Sequence, residues 1–132
     1  KNKKVVQRIS GESIMSGKKI EADVAVYRFA GQLSYLNASS HAETLEKLTG
    51  VESLILSFRN LFFADVDGIE VLGEIVESLE RKNQNLYITG VPSLLKSHIR
   101  HTAWYKKLEK NGKIFESTTE ALQTLGFNLL KI

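Results

Sequence analysis

Two aspartates stand close together in the stretch FFADVDGIEVLGEI, residues 62–75, where an apolar run gives way to a pattern with helical spacing. A carboxylate pair can perform acid–base catalysis, but the stretch contains no His, Lys or Ser to serve Asp65 and Asp67 as nucleophile or proton carrier. At a helix start the Asp65 carboxylate can accept backbone N–H groups, and both acids gain from the positive end of the helix dipole. Gly68 lets another backbone approach closely. Helix capping therefore explains all three residues without catalysis.

Other signatures of catalysis or metal binding are weak. His98 and His101 are three residues apart, the spacing of neighbours on one helix face, but Glu109 is the one acid near them. The sequence contains no cysteine and no Gly-x-Gly-x-x-Gly, Gly-Lys-Ser/Thr or Gly-x-Ser-x-Gly motif. We therefore predict that the protein is not an enzyme and holds no metal and no cofactor.

Residues 96–113 form a basic segment with six Lys or Arg against Glu109, and Trp104 and Tyr105 lie within it. Such a segment can bind an anion, an acidic partner or lipid head groups. The alternative is a solvated loop whose tryptophan packs back on the core. The sequence leaves both interpretations open.

The composition fits one compact domain, with 132 residues of which 42% are hydrophobic and 25% charged. The absence of cysteine fits a reducing compartment, and no apolar run reaches the roughly 20 residues needed to span a bilayer. Because the first residue is lysine and not methionine, we expect a piece of a longer protein.

The positive charge is concentrated in residues 1–20, which hold six Lys or Arg against Glu12, whereas residues 21–132 hold twelve against fourteen acids. We interpret residues 1–20 as a basic flexible arm or linker and residues 21–132 as the folded domain. The arm fits a solvated tail or a polybasic segment at an anionic membrane surface. Since the body lacks a basic stripe with stacking aromatics, we predict no nucleic-acid binding.

Hydrophobic and turn patterns predict an α/β fold with the order β-β-α-β-α-β-α-β-α. The predicted strands are 24–29, 33–36, 51–58, 85–89 and 113–116. The predicted helices begin at Ser40, after Asp65, near Pro92 and after Ser117. We expect a hairpin around Gly31 and then alternating units, which gives a mixed, mostly parallel sheet of about five strands flanked by about four helices.

The helix after Asp65 has one apolar and one acidic face. Its acids lie on one side, at Glu70, Glu74, Glu77 and Glu80. A domain with an acidic face and a basic edge suits docking by electrostatic complementarity better than catalysis. The candidate partner- or anion-binding residues are Asp65, Val66, Asp67, Gly68, Glu70 and Glu74.

Two stretches carry a family resemblance. VESLILSFRNLFFADVDGIEVL, residues 51–72, resembles the STAS domain pattern of a buried strand, a short loop and Asp-Ser-Ser-Gly at a helix start. GQLSYLNASS, residues 31–40, is similar to the Gly-x-Leu-x-Phe-x-Asn-Ala of the SulP anion-transporter branch, with Tyr35 in the aromatic position and Asn37 and Ala38 matching. The resemblance covers about residues 22–126 and implies the STAS fold, with Asn37 and Ala38 as structural residues.

One position differs from the pattern of the family that the sequence resembles. In the branch of anti-sigma factor antagonists, the serine directly after the Asp is phosphorylated by a partner kinase. Val66 occupies that position here and has no hydroxyl group, so this switch is chemically excluded at Val66. The second serine position holds Asp67, which is either a partial mimic of phosphate or a plain acid of the first turn.

By resemblance, the leading hypothesis is a cytoplasmic, non-catalytic regulatory and protein-interaction domain of a SulP-type transporter of an inorganic anion such as sulfate or bicarbonate. That hypothesis places the domain at the cytoplasmic face of the inner membrane, against the transmembrane part of its own chain. A cytoplasmic protein or a second copy is a further partner, and anionic lipid is the partner of the basic arm. The alternatives are a free-standing antagonist-like regulator that binds a kinase-type partner, or a weak nucleotide- or anion-binding module.

Overall fold

Strands and helices alternate along residues 6–10, 23–48 and 50–127, which are the residues that the structure, a computed structural model, describes. The strands are β1 (Val6–Ser10), β2 (Val24–Arg28), β3 (Gly31–Leu33), β4 (Ser53–Ser57), β5 (Leu61–Ala64), β6 (Asn85–Thr89) and β7 (Ile114–Phe115). The helices are α1 (Tyr35–Glu46), α2 (Val66–Arg81), α3 (Ser93–Ile99), α4 (Ala103–Lys110) and α5 (Thr118–Thr124).

The main sheet has five strands in the order β1-β2-β4-β6-β7, and neighbouring strands are parallel in every pair. β4 lies at the centre and all five of its residues are buried, as expected for a parallel strand that helices cover on both faces. The predicted α/β fold with a mostly parallel sheet of about five strands is therefore confirmed.

The predicted hairpin of the first two strands is wrong. β2 pairs in parallel with β4, whereas β3 leaves the main sheet and pairs in parallel with β5. Gly31, with a φ of 78°, allows the backbone conformation at which the chain enters β3. β5 forms where the sequence predicts a loop, and it gives β3 a partner that is distant along the chain.

α1 begins nearly two turns before the predicted cap at Ser40, because Ser34 and Asn37 cap the helix instead. The Ser34 N–H donates to Asn37 Oδ1 over 2.9 Å, and Asn37 Nδ2 donates to the Gln32 carbonyl over 2.8 Å. Asn37 thus joins β3 to α1, and the neighbouring Ala38 is buried under the helix. Ser40 lies exposed within α1.

The basic segment contains a helix that the sequence does not predict. Thr102 caps α4 by accepting the Tyr105 N–H, and both Trp104 and Tyr105 are buried in the core. The lysines of α4 are exposed. The tryptophan therefore packs on the core, although from a helix and not from a loop, while binding of an anion or a partner by the exposed cations stays a prediction.

Within residues 1–20, the structure describes β1, which pairs with β2 along five residues. The other residues of the predicted arm lie outside the described part of the chain, so the division at residue 20 stays a prediction. Among the described helices, none is both long and apolar enough to cross a bilayer.

The sheet separates two apolar cores. α1, α2, α3 and α4 contribute to the larger core on one face, where the rings of Phe29 and Phe58 stack with centroids 4.8 Å apart. α5 packs on the opposite face, where Ala121 and Leu122 meet Ile55. The connections that follow the neighbouring strands β6 and β7 therefore leave the sheet toward opposite faces.

Tyr27 and His41 form a buried polar contact that the sequence patterns do not reveal. The Tyr27 hydroxyl, on the larger-core face of β2, lies 2.6 Å from Nδ1 of His41 on α1. Burial raises the pKa of Tyr27 well above its usual value, because the phenolate would lose its hydration. The hydrogen bond between the two side chains ties α1 to the sheet.

Because of Tyr27, we expect the free energy of unfolding to fall by roughly 1 kcal/mol as the pH rises from about 10 to 11. The unfolded chain releases the Tyr27 proton near pH 10 while the folded chain retains it, so stability falls as the pH rises. Urea denaturation of the wild type and of Tyr27→Phe measures this. The variant should be about 1 kcal/mol less stable at pH 8 and lose less between pH 10 and 11. An equal alkaline loss in both proteins would contradict the assignment.

Candidate functional site

The start of α2 is tied to β3 and closed by its own cap. The Asp65 N–H donates to the Leu33 carbonyl over 3.1 Å, and Asp65 Oδ1 accepts the Gly68 N–H over 2.6 Å. A Cβ on Gly68 would lie 2.5 Å from the Leu33 carbonyl oxygen, so glycine is required where helix and strand meet. The predicted cap at Asp65 and the predicted close approach at Gly68 are both confirmed.

The structure places five of the six candidate residues at this helix start and Glu74 about two turns farther along α2, and it divides the six into two groups. Asp65 is half-buried and Gly68 buried, and both serve the junction with β3. The other four are exposed: Val66, Asp67, Glu70 and Glu74. The exposed group presents one aliphatic and three acidic side chains to solvent.

Large exposed hydrophobic side chains surround the same helix start, and we call them the apolar edge. Among the described residues they are Tyr35 (67% exposed), Leu36 (88%), Phe62 (73%), Phe63 (50%), Val66 (76%) and Leu94 (73%). Tyr35 and Leu36 follow β3 after Ser34, and Val66 follows its partner strand β5 after Asp65. The pairing of two short strands thus gathers side chains that are far apart in the sequence.

A shallow groove of about 210 Å³ crosses the apolar edge between β5 and α3. Phe62 and Phe63 of β5, Leu94 and Leu95 of α3 and Ile69 of α2 contribute to its lining. This groove was not predicted, although the pair Phe62-Phe63 shortly before the helix cap at Asp65 is a signal for it in the sequence. Two adjacent rings on a short strand cannot both turn into the core, because successive side chains point to opposite faces.

Acidic side chains continue from the apolar edge along α2. They are Asp67, Glu70, Glu74 and Glu77, all exposed and spaced by three or four residues. This spacing places them on one helix face, which we call the acidic stripe. The fourth predicted acid of that face, Glu80, is half-buried. The helix start therefore combines apolar anchors with a negative field.

The three histidines lie in different parts of the fold. His98 lies at the groove and His101 follows α3, while His41 contacts Tyr27 inside the core. Within the part of the chain that the structure describes, no three His, Cys, Asp or Glu side chains converge to hold a metal ion.

The sequence model of the STAS domain matches residues 17–121. The chain belongs to the STAS domain family. A solved sulfate transporter family protein from Wolinella succinogenes is similar in structure, with a TM-score of 0.66 at 22% identity over 83% of this chain and 91% of that one. No curated protein matches the sequence significantly.

Two further solved structures place the STAS fold in different settings. The murine Solute Carrier 26 family member A9 anion transporter matches 81% of this chain with 18% of its own, at a TM-score of 0.64 and 17% identity. A putative anti-sigma factor antagonist from Thermotoga maritima matches 81% of this chain with 90% of its own, at a TM-score of 0.61 and 15% identity. At these identities the likeness establishes the STAS fold, which is a small part of the first protein and nearly all of the second.

Proposed function

We propose that this chain is a non-catalytic docking domain of a SulP-type transporter of an inorganic anion such as sulfate or bicarbonate, acting at the cytoplasmic face of the membrane. The observation that carries the proposal is the apolar edge with the acidic stripe beside it. The similarity in fold to a sulfate transporter family protein and to part of an anion transporter supports the assignment. The partner in this proposal is the membrane part of the same protein.

The apolar edge favours binding of a protein surface. Exposed large hydrophobic side chains that lie near each other mark interaction sites, and aromatic side chains beside a pocket are the usual anchors. Asp65 is occupied as a cap, and Val66 presents only methyl groups to solvent. The exposed groups of the helix start thus offer contact area and charge to a partner.

The acidic stripe determines the charge of that partner. An anion at the start of α2 would meet Asp65, Asp67 and Glu70, and their repulsion opposes the attraction of the helix dipole. A partner with apolar residues and a basic rim meets both features at once. We therefore assign Glu70 and Glu74 to docking and not to anion binding.

Replacing Glu70 and Glu74 together by glutamine should weaken binding of the purified chain to the detergent-solubilised membrane part by roughly three- to tenfold at low salt. The effect should shrink to less than about twofold at 0.5 M salt, because exposed charges are screened. Surface plasmon resonance at both salt concentrations measures it. The matched control is Glu52→Gln with Glu109→Gln, two exposed acids outside the stripe. Equal weakening by both double variants would contradict a role for the stripe.

Anion uptake tests the transporter assignment itself. The full-length gene product that contains this chain, reconstituted in liposomes, should take up radiolabelled sulfate or bicarbonate, and liposomes with the 132-residue chain alone should not. Uptake of neither anion by the full-length protein would contradict the proposal.

A free-standing regulator is the second candidate, because the fold of this chain covers 90% of the Thermotoga maritima antagonist. Val66 removes the usual phosphate acceptor of that branch, so modification would need another serine. Ser57 is buried in β4 and Ser78 is half-buried on α2, which makes Ser78 the more accessible of the two. A kinase assay with mass spectrometry decides: phosphate on Ser78 would support this candidate, and an unmodified chain would count against regulation by phosphorylation.

A further inference from the structure

A second cavity, of about 570 Å³, opens at the carboxyl ends of β4, β6 and β7, and we call it the sheet-end crevice. Its lining includes Arg59 after β4, Gly90 and Val91 after β6, and Glu116 and Ser117 after β7. It shares one lining residue, Pro92, with the groove of the apolar edge. The two sites are therefore distinct.

The topology explains why a crevice forms at this place. α3 follows β6 on one face of the sheet, and α5 follows the neighbouring strand β7 on the other face. Where connections from adjacent parallel strands diverge to opposite faces, a crevice remains at the carboxyl ends of those strands. This position is where open α/β sheets bind their ligands.

Close packing of the loops shapes the crevice floor. Gly90 has a φ of 68°, and a Cβ there would lie 3.2 Å from the backbone nitrogen of Arg59. The Gly90 N–H donates to the Phe115 carbonyl over 3.1 Å. The loops after β4, β6 and β7 are thus held against each other, which fixes Arg59 at the edge of the cavity.

The lining combines two cations with hydroxyl groups and apolar side chains. Arg59 and Lys96 are both exposed, and within the described residues neither forms an ion pair. Ser93 and Ser117 add hydroxyl groups. The apolar part of the lining comes from Val91 and Ile114, which pack on the larger core, and from Phe115, which packs on the core of the opposite face. Glu116 is the one acid of the lining, so the crevice carries a net positive charge.

We propose that the sheet-end crevice binds a small phosphate monoester with an apolar body. The Arg59 guanidinium can donate two parallel hydrogen bonds to phosphate oxygens, and Lys96 supplies a second positive charge for a dianion. The ester's organic group lies against Val91 and Phe115. The volume lies in the range of roughly 300–1,000 Å³ that is common for small-molecule sites. This site depends neither on the apolar edge nor on the transporter assignment.

Calorimetric titration of the 132-residue chain with phenyl phosphate tests the proposal. We expect binding that Arg59→Ala and Lys96→Ala each weaken by at least about tenfold, and that Glu116→Gln strengthens by roughly two- to fivefold because a repelling charge is removed. The matched control, Lys107→Ala, removes one exposed cation outside the crevice and should stay within about twofold of the wild type. Equal thermal melting of all variants would show that they fold.

Two further ligands separate the parts of the proposal. Inorganic phosphate should bind at least about tenfold more weakly than phenyl phosphate, since it gains nothing from the apolar part of the lining, and benzoate should bind more weakly because it carries a single charge. The proposal is overturned if the wild type does not bind phenyl phosphate at about 10 mM, or if Lys107→Ala weakens binding as much as Arg59→Ala does. Equal affinity for benzoate would exclude a phosphate site.

Discussion

Replacing Gly68 with alanine is expected to lower the free energy of unfolding by about 2 kcal/mol or more. The new Cβ would lie 2.5 Å from the carbonyl oxygen and 2.8 Å from the carbonyl carbon of Leu33, and both are backbone atoms of β3. β3 cannot retreat without stretching the hydrogen bond between the Asp65 N–H and the Leu33 carbonyl. The gain in helix propensity of about 1 kcal/mol offsets part of the clash but not all of it.

Gly73 provides the matched control, because it lies in the same helix and gains the same propensity on replacement by alanine. Its Cβ would lie 3.0 Å from Nε1 of Trp104, a side-chain atom that needs to move by only a few tenths of an ångström, whereas the Leu33 atoms near Gly68 are backbone and lie closer. We expect Gly73→Ala to stay within about 1 kcal/mol of the wild type. Urea denaturation compares the stability of the two variants, provided that the unfolding free energy depends equally steeply on urea concentration in both. Equal stability of both variants would show that Gly68 of α2 lies farther from Leu33 of β3 than in the structure.

Replacing Phe62 and Phe63 together by aspartate is expected to weaken docking of the chain to the membrane part by at least about thirtyfold. Burial of an aromatic side chain contributes about 1.5–3 kcal/mol, so the loss of two anchors exceeds the roughly 2 kcal/mol that thirtyfold requires. The new carboxylates would also lie beside the acidic stripe and add repulsion. Both rings are at least half exposed, so the free energy of unfolding should change by less than about 0.5 kcal/mol.

The control for this variant is Thr119→Asp with Gln123→Asp on α5, where two exposed positions receive the same two charges on the opposite face of the sheet. Surface plasmon resonance with the solubilised membrane part should give wild-type affinity for the control. Wild-type affinity for the Phe62 and Phe63 variant would show that the apolar edge does not carry docking.

The features that follow from near neighbours in the sequence could be predicted. The cap at Asp65 and the cap at Ser117 each depend on an acceptor and an N–H three residues apart, and both occur as predicted. The start of α1 was not predicted correctly, because Ser34 and Ser40 can both cap a helix. Asn37 hydrogen-bonds to Ser34 and to the Gln32 carbonyl, which selects Ser34. A local pattern indicates that a cap exists, but tertiary contacts select which residue forms it.

The features that depend on distant partners could not be predicted. β5 is a strand only because β3 leaves the main sheet to pair with it, and neither segment shows this alone. The contact between Tyr27 and His41 joins residues that no spacing rule relates. The sheet-end crevice exists because α5 crosses to the other face, a choice that the periodicity of α5 does not encode.

The central claim is that this STAS domain is the docking domain of an anion transporter. The most direct measurement is the reading frame upstream of the Lys1 codon in the gene, translated and examined for hydropathy. We expect roughly ten or more apolar segments of about 20 residues there, each able to cross a bilayer. A reading frame that begins near Lys1, with no such segments, would contradict the claim and leave the free-standing regulator as the function of this chain.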